Sequence, residues 1–344
     1  MTTKNLTYSL TSGTLPAGYS LNELTGTLSG TSTAAYSAGG VTSTFTITAS
    51  NGISSTARIF NITRKWYDGS SSALAGTSAA AIKTETGLNT DGVYYINLPT
   101  VGPTQIYCLM DRNIGGGGWM MIMKAAATGT TFSFDANYWN TANTLNPTQY
   151  NRSAGDAKFH TMNYFPSTDI LALWPDILTN GGSFSNNPYG CWSWYAPRFT
   201  DVNSYPSDSF VPLTCIDFFG RNGGLGVGEF GSNNNGGKFV SPPSQFAGWS
   251  GAFSGQADIR FYGFNFRGWN GAGAVRWGFG WNENGEGQYN SPGYLGGGGA
   301  PGSNDVSGGI GMSYGLNWSA GDRINCCNNA TGINRQARVE MYVR

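Results

Sequence analysis

Asp91-Gly-Val-Tyr-Tyr-Ile-Asn97, Thr104-Gln-Ile-Tyr-Cys-Leu-Met-Asp111 and Gly115-Gly-Gly-Gly-Trp-Met-Met-Ile-Met-Lys124 follow one another closely in the chain. Each is a short apolar run, rich in aromatic and β-branched residues and bounded by turn formers, which is how strands read. The third opens from a glycine run directly into a tryptophan. These stretches predict three consecutive strands cut by turn residues, and the rest of the chain is read outward from them.

The chain has 344 residues, long enough for two domains and a sizeable core. Lys and Arg number 19 against 19 Asp and Glu, and 11% of residues are charged. Such a chain has no electrostatic reach for phosphate backbones or anionic membranes, so nucleic acid is excluded as a natural partner. The 52 glycines would suit a disordered linker, but aromatics at 14% do not. Glycine with aromatics and amides fits a loop-rich β surface built to touch something polar. The N-terminal Met1-Thr-Thr-Lys-Asn-Leu-Thr-Tyr8 lacks a basic stretch followed by an apolar core, so no signal peptide is expected. No apolar run approaches membrane-spanning length, and no membrane insertion is expected. Cys108, Cys191, Cys215, Cys326 and Cys327 are odd in number, irregularly spaced and unlike a zinc pattern. Reduced, mostly buried thiols of a protein made in a cytosol are the expectation.

Residues 5–63 alternate apolar and hydroxyl residues with period two. In Thr44-Phe-Thr-Ile-Thr-Ala49 and Ala57-Arg-Ile-Phe-Asn-Ile62 this predicts half-buried antiparallel strands, joined by a turn at Asn51-Gly52. The block begins almost at once with a strand, Leu6–Leu10, and is short for a sandwich. An initial strand is therefore either missing or supplied by a neighbour, and an open edge invites pairing with another chain. Residues 66–77 read as a linker, with Trp66 and Tyr67 pinning it to a surface. A short helix over 78–86 follows, capped by Ser78. Pro166–Trp174 reads as a second helix, with Ile170, Leu171 and Trp174 on one face and Pro175 ending it. Later strands are expected at Thr214–Phe218, Asp258–Gly263, Val275–Trp281 and Arg338–Val343. Long Gly/Asn/Ser/Pro stretches separate them, and long ordered loops on a β scaffold usually carry function.

Catalytic signals are weak. His160 is the single histidine, with no nucleophile elbow and no H-E-x-x-H around it. Glycine is so abundant that a dinucleotide-type match around Gly224–Gly228 arises by chance. The scarce, scattered carboxylates give little basis for glycoside hydrolysis. The C-terminal third carries more: Trp277-Gly-Phe-Gly-Trp-Asn-Glu-Asn-Gly-Glu-Gly-Gln288, then Gly296–Gly299, Asn304-Asp305 and Leu316-Asn-Trp-Ser-Ala-Gly321. Calcium takes six to eight oxygen ligands. Asn282, Glu283, Asn284, Glu286 and Asp305 can supply such oxygens, and Trp281, Tyr314 or Trp318 can stack on a sugar. Otherwise the two glutamates are solvated loop carboxylates and the tryptophans pack against glycine-rich loops.

Two resemblances sharpen this. Leu15-Pro-Ala-Gly-Tyr-Ser-Leu-Asn22 and Thr25-Gly-Thr-Leu-Ser-Gly-Thr31 resemble the signature of the Ig-like repeat of bacterial and phage proteins. The three opening strands resemble the start of a fibrinogen C-terminal-like domain, a recognition module. The order of motifs after Trp277, and the ending Gln336–Arg344, are similar to its intelectin-like branch of lectins. That resemblance implies calcium and an aromatic-bracketed glycan pocket in this region. The chain departs from the branch before the glycine run, where Gln288–Tyr294 lacks a histidine, and after it, where Ala300–Asp305 lacks the immediate acid. No D-x-D loop is present. In animal relatives the cysteine equivalent to Cys108 is bridged to one upstream, but here that stretch reads Ala79–Ile82, which implies a free thiol.

The sequence thus reads as mostly β: an Ig-like β-sandwich over 1–65, incomplete by one strand if no neighbour supplies it. A linker spans 66–77, and an α+β fibrinogen-like domain spans 78–344. Together the two resemblances imply a non-catalytic virion surface protein of a tailed phage, a fibre, tail-tip or capsid-decoration component made in the host cytoplasm. Its expected partners are host cell-surface polysaccharide, other virion proteins and further copies of itself; a homotrimer follows from phage-fibre symmetry alone. The alternatives are a purely structural decoration protein, a bacterial adhesin and a polysaccharide-degrading tailspike.

Overall fold

The computed structural model describes residues 5–111, 115–178, 191–196, 199, 212–220, 261–267, 274–282, 305–313, 318–324 and 333–344. Among them the protein is mostly β. The first module contains β1 (Thr7–Gly13), β2 (Tyr19–Leu21), β3 (Leu28–Gly30), β4 (Val41–Ser50) and β5 (Ser55–Arg64). The long strands form a three-stranded sheet in the order β1-β4-β5, and β2 pairs with β3. The period-two pattern explains the two faces. Phe45 lies opposite Phe60 with stacked rings 5.8 Å apart. The other face carries hydroxyl pairs, Thr11 with Thr48 and Thr42 with Thr63, each at 2.8 Å. At the expected turn the loop is Asn51–Ser54, and the Asn51 side-chain oxygen accepts from the amides of Ile53 (3.0 Å) and Ser54 (2.9 Å).

Residues 66–77 are bound to their surroundings. Trp66 is buried, with Tyr36 edge-on at 5.7 Å, whereas Tyr67 is 59% exposed and pins nothing. The Asp68 carboxylate accepts from Tyr36 Oη (3.1 Å) and from the Ser70 amide (3.0 Å). Backbone bonds then tie Gly69 to Tyr95, and Gly76 to Tyr95 and Asn97. Helix α1 (Ala79–Thr86) begins as expected, with Ser78 Oγ accepting from the Ala81 amide at 3.0 Å, and it buries Ala79 and Ile82.

The opening strands are β6 (Gly92–Leu98), β7 (Gly102–Leu109) and β8 (Trp119–Ala125). They are followed by β9 (Ala157–Lys158), α2 (His160–Tyr164), β10 (Ile170–Leu178), β11 (Cys191–Ala196) and α3 (Cys215–Phe219). Next come β12 (Phe261–Arg267), β13 (Ala274–Asn282), β14 (Asp305–Ser313), β15 (Ala320–Ile324), β16 (Ile333–Gln336) and β17 (Val339–Val343). A seven-stranded sheet runs β11-β10-β17-β8-β7-β6, with β9 also on β8, and a five-stranded sheet runs β12-β13-β14-β15-β16. Every residue of β8 is buried.

The glycine run before β8 is required by space. An added Cβ at Gly118 would stand 2.8 Å from the Ala80 backbone of α1, and one at Gly117 would stand 2.4 Å from the Met110 carbonyl oxygen. Both glycines have positive φ. Trp119 is then held from two sides. The Arg344 guanidinium lies 4.3 Å above its ring, and the Tyr195 ring meets it edge-on at 5.5 Å. Arg344 also pairs with Asp169 at 2.8 Å and donates to the carbonyls of Gly115 and Gly117.

Two expected elements change type. Residues 170–174 are strand, because β10 lies between β11 and β17 and is buried on both faces. Ile170, Ala172 and Trp174 enter one apolar cluster while Leu171 and Leu173 enter another. A continuous apolar run of this kind does not reveal its period. Pro175 falls where the β10–β11 register breaks, between Trp174 and Leu178, a position that tolerates a missing amide hydrogen. Conversely, 215–219 is helix. Thr214 Oγ1 accepts from the Asp217 amide as an N-cap, and the buried Cys215, Phe218 and Phe219 have helical spacing. The expected strand starting at Asp258 is described from Phe261 onward.

Cys108 and Cys215 are free and buried, and burial pushes the Cys108 thiol far above its ordinary range and Cys215 up to about 12. Cys326 and Cys327 lie outside the described residues. The largest apolar cluster joins the two sheets: Trp194 contacts Trp277 at 5.6 Å, and Phe264 stacks on Trp277 at 5.2 Å.

Replacing Trp119 by alanine is expected to cost about 3–5 kcal/mol, the usual range for a buried large aromatic. Denaturant unfolding checks this, and a loss below about 1 kcal/mol contradicts the role assigned to Trp119. Lys158 gives a pH signature. It is fully buried, its Nζ donates to the Thr141 carbonyl at 2.6 Å, and burial lowers its pKa to about 8. Between about pH 8 and the ordinary lysine range near 10.4, the unfolded chain keeps a proton that the folded chain has shed. The stability of the parent relative to Lys158→Met should therefore rise from about pH 8 to about pH 9.5 and stay flat below it. A difference that does not vary with pH contradicts this.

Candidate functional site

Of the expected ligand residues, Trp281, Asn282 and Asp305 fall at one end of the five-stranded sheet, while Trp318 lies beside Met312 toward the opposite end. Strands β13 and β14 pair in unbroken antiparallel order at that end, with Trp281 opposite Val306 and Asn282 opposite Asp305. Directly opposed residues of an antiparallel pair lie about 5 Å apart between Cα atoms. Two of the five candidate metal ligands are therefore juxtaposed by backbone register, at the mouth of the connection 283–304. Glu283, Asn284, Glu286 and Tyr314 lie outside the described residues.

Trp318 is placed differently from a surface stacking platform. It is 9% exposed, and its carbonyl accepts from the Met312 amide at 2.9 Å. With the Gln336 amide oxygen turned toward it, the indole Nε1 donates to that oxygen at 2.5 Å, and the amide nitrogen donates to the Ala127 carbonyl at 3.0 Å. Trp318 therefore packs and braces, and its ring offers little open face to a ligand.

The neighbouring loop, residues 126–131, is fastened from both sides. The Asp156 carboxylate accepts from the Ala126 amide (2.7 Å) and from Thr131 Oγ1 (2.5 Å). On the opposite side the Ser319 amide donates to the Gly129 carbonyl (2.9 Å), and Ser319 Oγ accepts from the Phe132 amide (2.9 Å). Behind β13, Arg276 donates to the carbonyls of Phe134 (2.9 Å) and Phe219 (2.5 Å), joining loop, helix and sheet. These bonds hold the 126–131 loop, α3 and β13 together toward the end of the sheet away from Asn282 and Asp305.

Calcium needs hard oxygen donors, and the opposed pair Asn282 and Asp305 is of that type. Among the described residues no group of three or more His, Cys, Asp or Glu stands together. His160 is part-buried beside the Tyr164 ring at 5.9 Å, with its Nδ1 buried.

The sequence reading missed a cavity of about 800 Å3 on the first module, lined by Leu15, Tyr19, Val41, Ile62 and Arg64, with Glu85 of α1 at its border. Arg64 is already committed there: it donates to the Ser32 carbonyl at 2.9 Å and lies 4.9 Å over the Trp66 ring.

Comparison with known proteins places residues 1–65 within the family described as "Putative Ig domain", so the first module is Ig-like. No curated protein matches the chain. Among the described residues no helix is long and apolar enough to cross a membrane.

Ser319→Ala is expected to cost about 1–3 kcal/mol, because it leaves the buried Phe132 amide hydrogen without its acceptor. Thermal or urea unfolding tests it; a neutral substitution would show that the loop over 126–131 is not held by this bond.

Proposed function

We propose that the protein is a non-catalytic recognition protein of a tailed-phage virion surface, built from an Ig-like module over 1–65 and a fibrinogen-like module over 78–344, and that it binds host surface glycans. The observation that carries this reading is the β13–β14 register, which sets Asn282 against Asp305 at the mouth of 283–304. A two-sheet scaffold whose β13–β14 connection is rich in amides and glycine in sequence suits recognition of a neutral ligand. Neutral sugars are held by hydroxyl–amide hydrogen bonds and by stacking on aromatic faces, so a chain of zero net charge is well matched to them. In this reading Asn282, Glu283, Asn284, Glu286 and Asp305 hold calcium, which when bound adds direct coordination of sugar hydroxyls. Trp281 supplies a stacking surface at that end, whereas Trp318, bonded to Met312 at the other end of β14, braces the sheet. Assembly on the particle with other virion proteins belongs to the same reading, while a structural decoration role without glycan binding is the alternative it competes with.

Glu283→Gln and Asp305→Asn should each weaken calcium binding by at least the roughly 10–100-fold that follows loss of even an outer-shell partner of a metal ligand. Both should reduce adsorption to host cells or isolated surface polysaccharide while leaving thermal unfolding in the presence of chelator unchanged. If both variants fold and adsorb like the parent, the structural decoration role is the better account.

A further inference from the structure

We propose that β5 is an interface strand on which a second copy of this chain pairs antiparallel about a twofold axis, with Ile59 opposite Ile59 of the second copy. This inference rests on the Ig-like module and is independent of glycan binding. β5 ends its sheet, and its pairing with β4 runs without a break from Val41↔Arg64 to Ser50↔Ser55. Its other edge therefore presents a regular row of backbone donors and acceptors. Among the described residues none of these groups bonds elsewhere. Edge strands are normally blunted by proline, lysine or a bulge. β1, the other edge, carries such a device: its register shifts between Leu10 and Ser12. β5 has no proline, no lysine and no shift.

The side chains favour an identical partner. Ser55, Ala57, Ile59, Asn61 and Thr63 share one face with no charge among them, and Ile59 is 66% exposed. The cations on the opposite face are occupied within the chain. Arg58 lies 5.4 Å over the Phe60 ring, and Arg64 lies over Trp66. With a formal net charge of zero, two copies approach without long-range repulsion.

The register follows from the faces. A twofold pairing that keeps like face with like face sets a residue opposite itself at the centre. Centring on Arg58 would oppose two identical cations, which destabilises a pair. Centring on Ile59 covers the most exposed apolar side chain of the strand with its own copy, and sets Arg58 opposite Phe60 and Ala57 opposite Asn61. The two sheets then become one continuous sheet. Such pairing gives an even-numbered assembly, unlike the homotrimer expected from fibre symmetry.

The test uses the full chain. Sedimentation of the parent should give a dimer or a multiple of it, and Ile59→Lys should give a monomer that keeps the parent's far-ultraviolet circular dichroism and unfolds at a temperature independent of concentration. Under mild oxidation, Ile59→Cys should form a covalent dimer, whereas the parent and Asn61→Cys alone should not. Mixing Ala57→Cys with Asn61→Cys should restore cross-linking. A parent that is monomeric or trimeric, an Ile59→Lys variant with the parent's mass, or Ile59→Cys that fails to cross-link would each overturn the proposal.

Discussion

The Arg344–Trp119 contact is the constraint on which the second module depends. One guanidinium caps the buried indole, pairs with Asp169, and donates to two carbonyls of the glycine run that leads into β8. It thereby fastens the end of β17 to the start of β8, the two strands at the centre of the larger sheet. The glycines make this geometry feasible, since a side chain at Gly118 would collide with α1. Removing the cation would expose one face of Trp119 and remove the ion pair from Asp169, which would keep the Tyr195 hydroxyl.

From that centre, rigidity passes outward to the site. β10 and β17 present Trp174, Met341 and Val343 to the cluster shared with Phe264, Trp277 and Ile310 of the smaller sheet. The register of β13 and β14 is thus fixed by burial, because a slip of one residue would turn Trp277 away from that cluster. Asn282 meets Asp305 as a consequence of core packing, and the polar end of the hairpin needs no specification of its own.

Much of this was legible in the chain. The strands flanking Gly115–Trp119, the Ser78 cap and the alternation of the first module are local patterns, and each has its expected form. Residues 170–174 were not legible as strand, because apolar residues buried on both faces have no alternation to read. Residues 215–219 hid a helix behind β-prone residues, although Thr214 and Asp217 gave a capping signal. At the candidate site, sequence order drew attention to Asn282 and Asp305, which the fold opposes. It could not distinguish an exposed tryptophan from Trp318, which braces Gln336. Nor could it reveal the cavity beside Arg64, whose walls come from β4, β5 and segments distant from them in sequence.

The first module tells a complementary story. Its hydroxyl face and thin apolar face suffice for an Ig-like sheet but leave β5 open, while the second module has its own core. The proposed recognition and the proposed pairing of copies thus fall to different parts of the chain. The central claim, glycan recognition without turnover, is tested most directly by applying the purified full chain to an array of host surface polysaccharides with calcium and with chelator. The account predicts retention of a subset of glycans, weakened by chelator, with no new reducing ends released. Absence of any retained glycan, or cleavage of the retained ones, would contradict it.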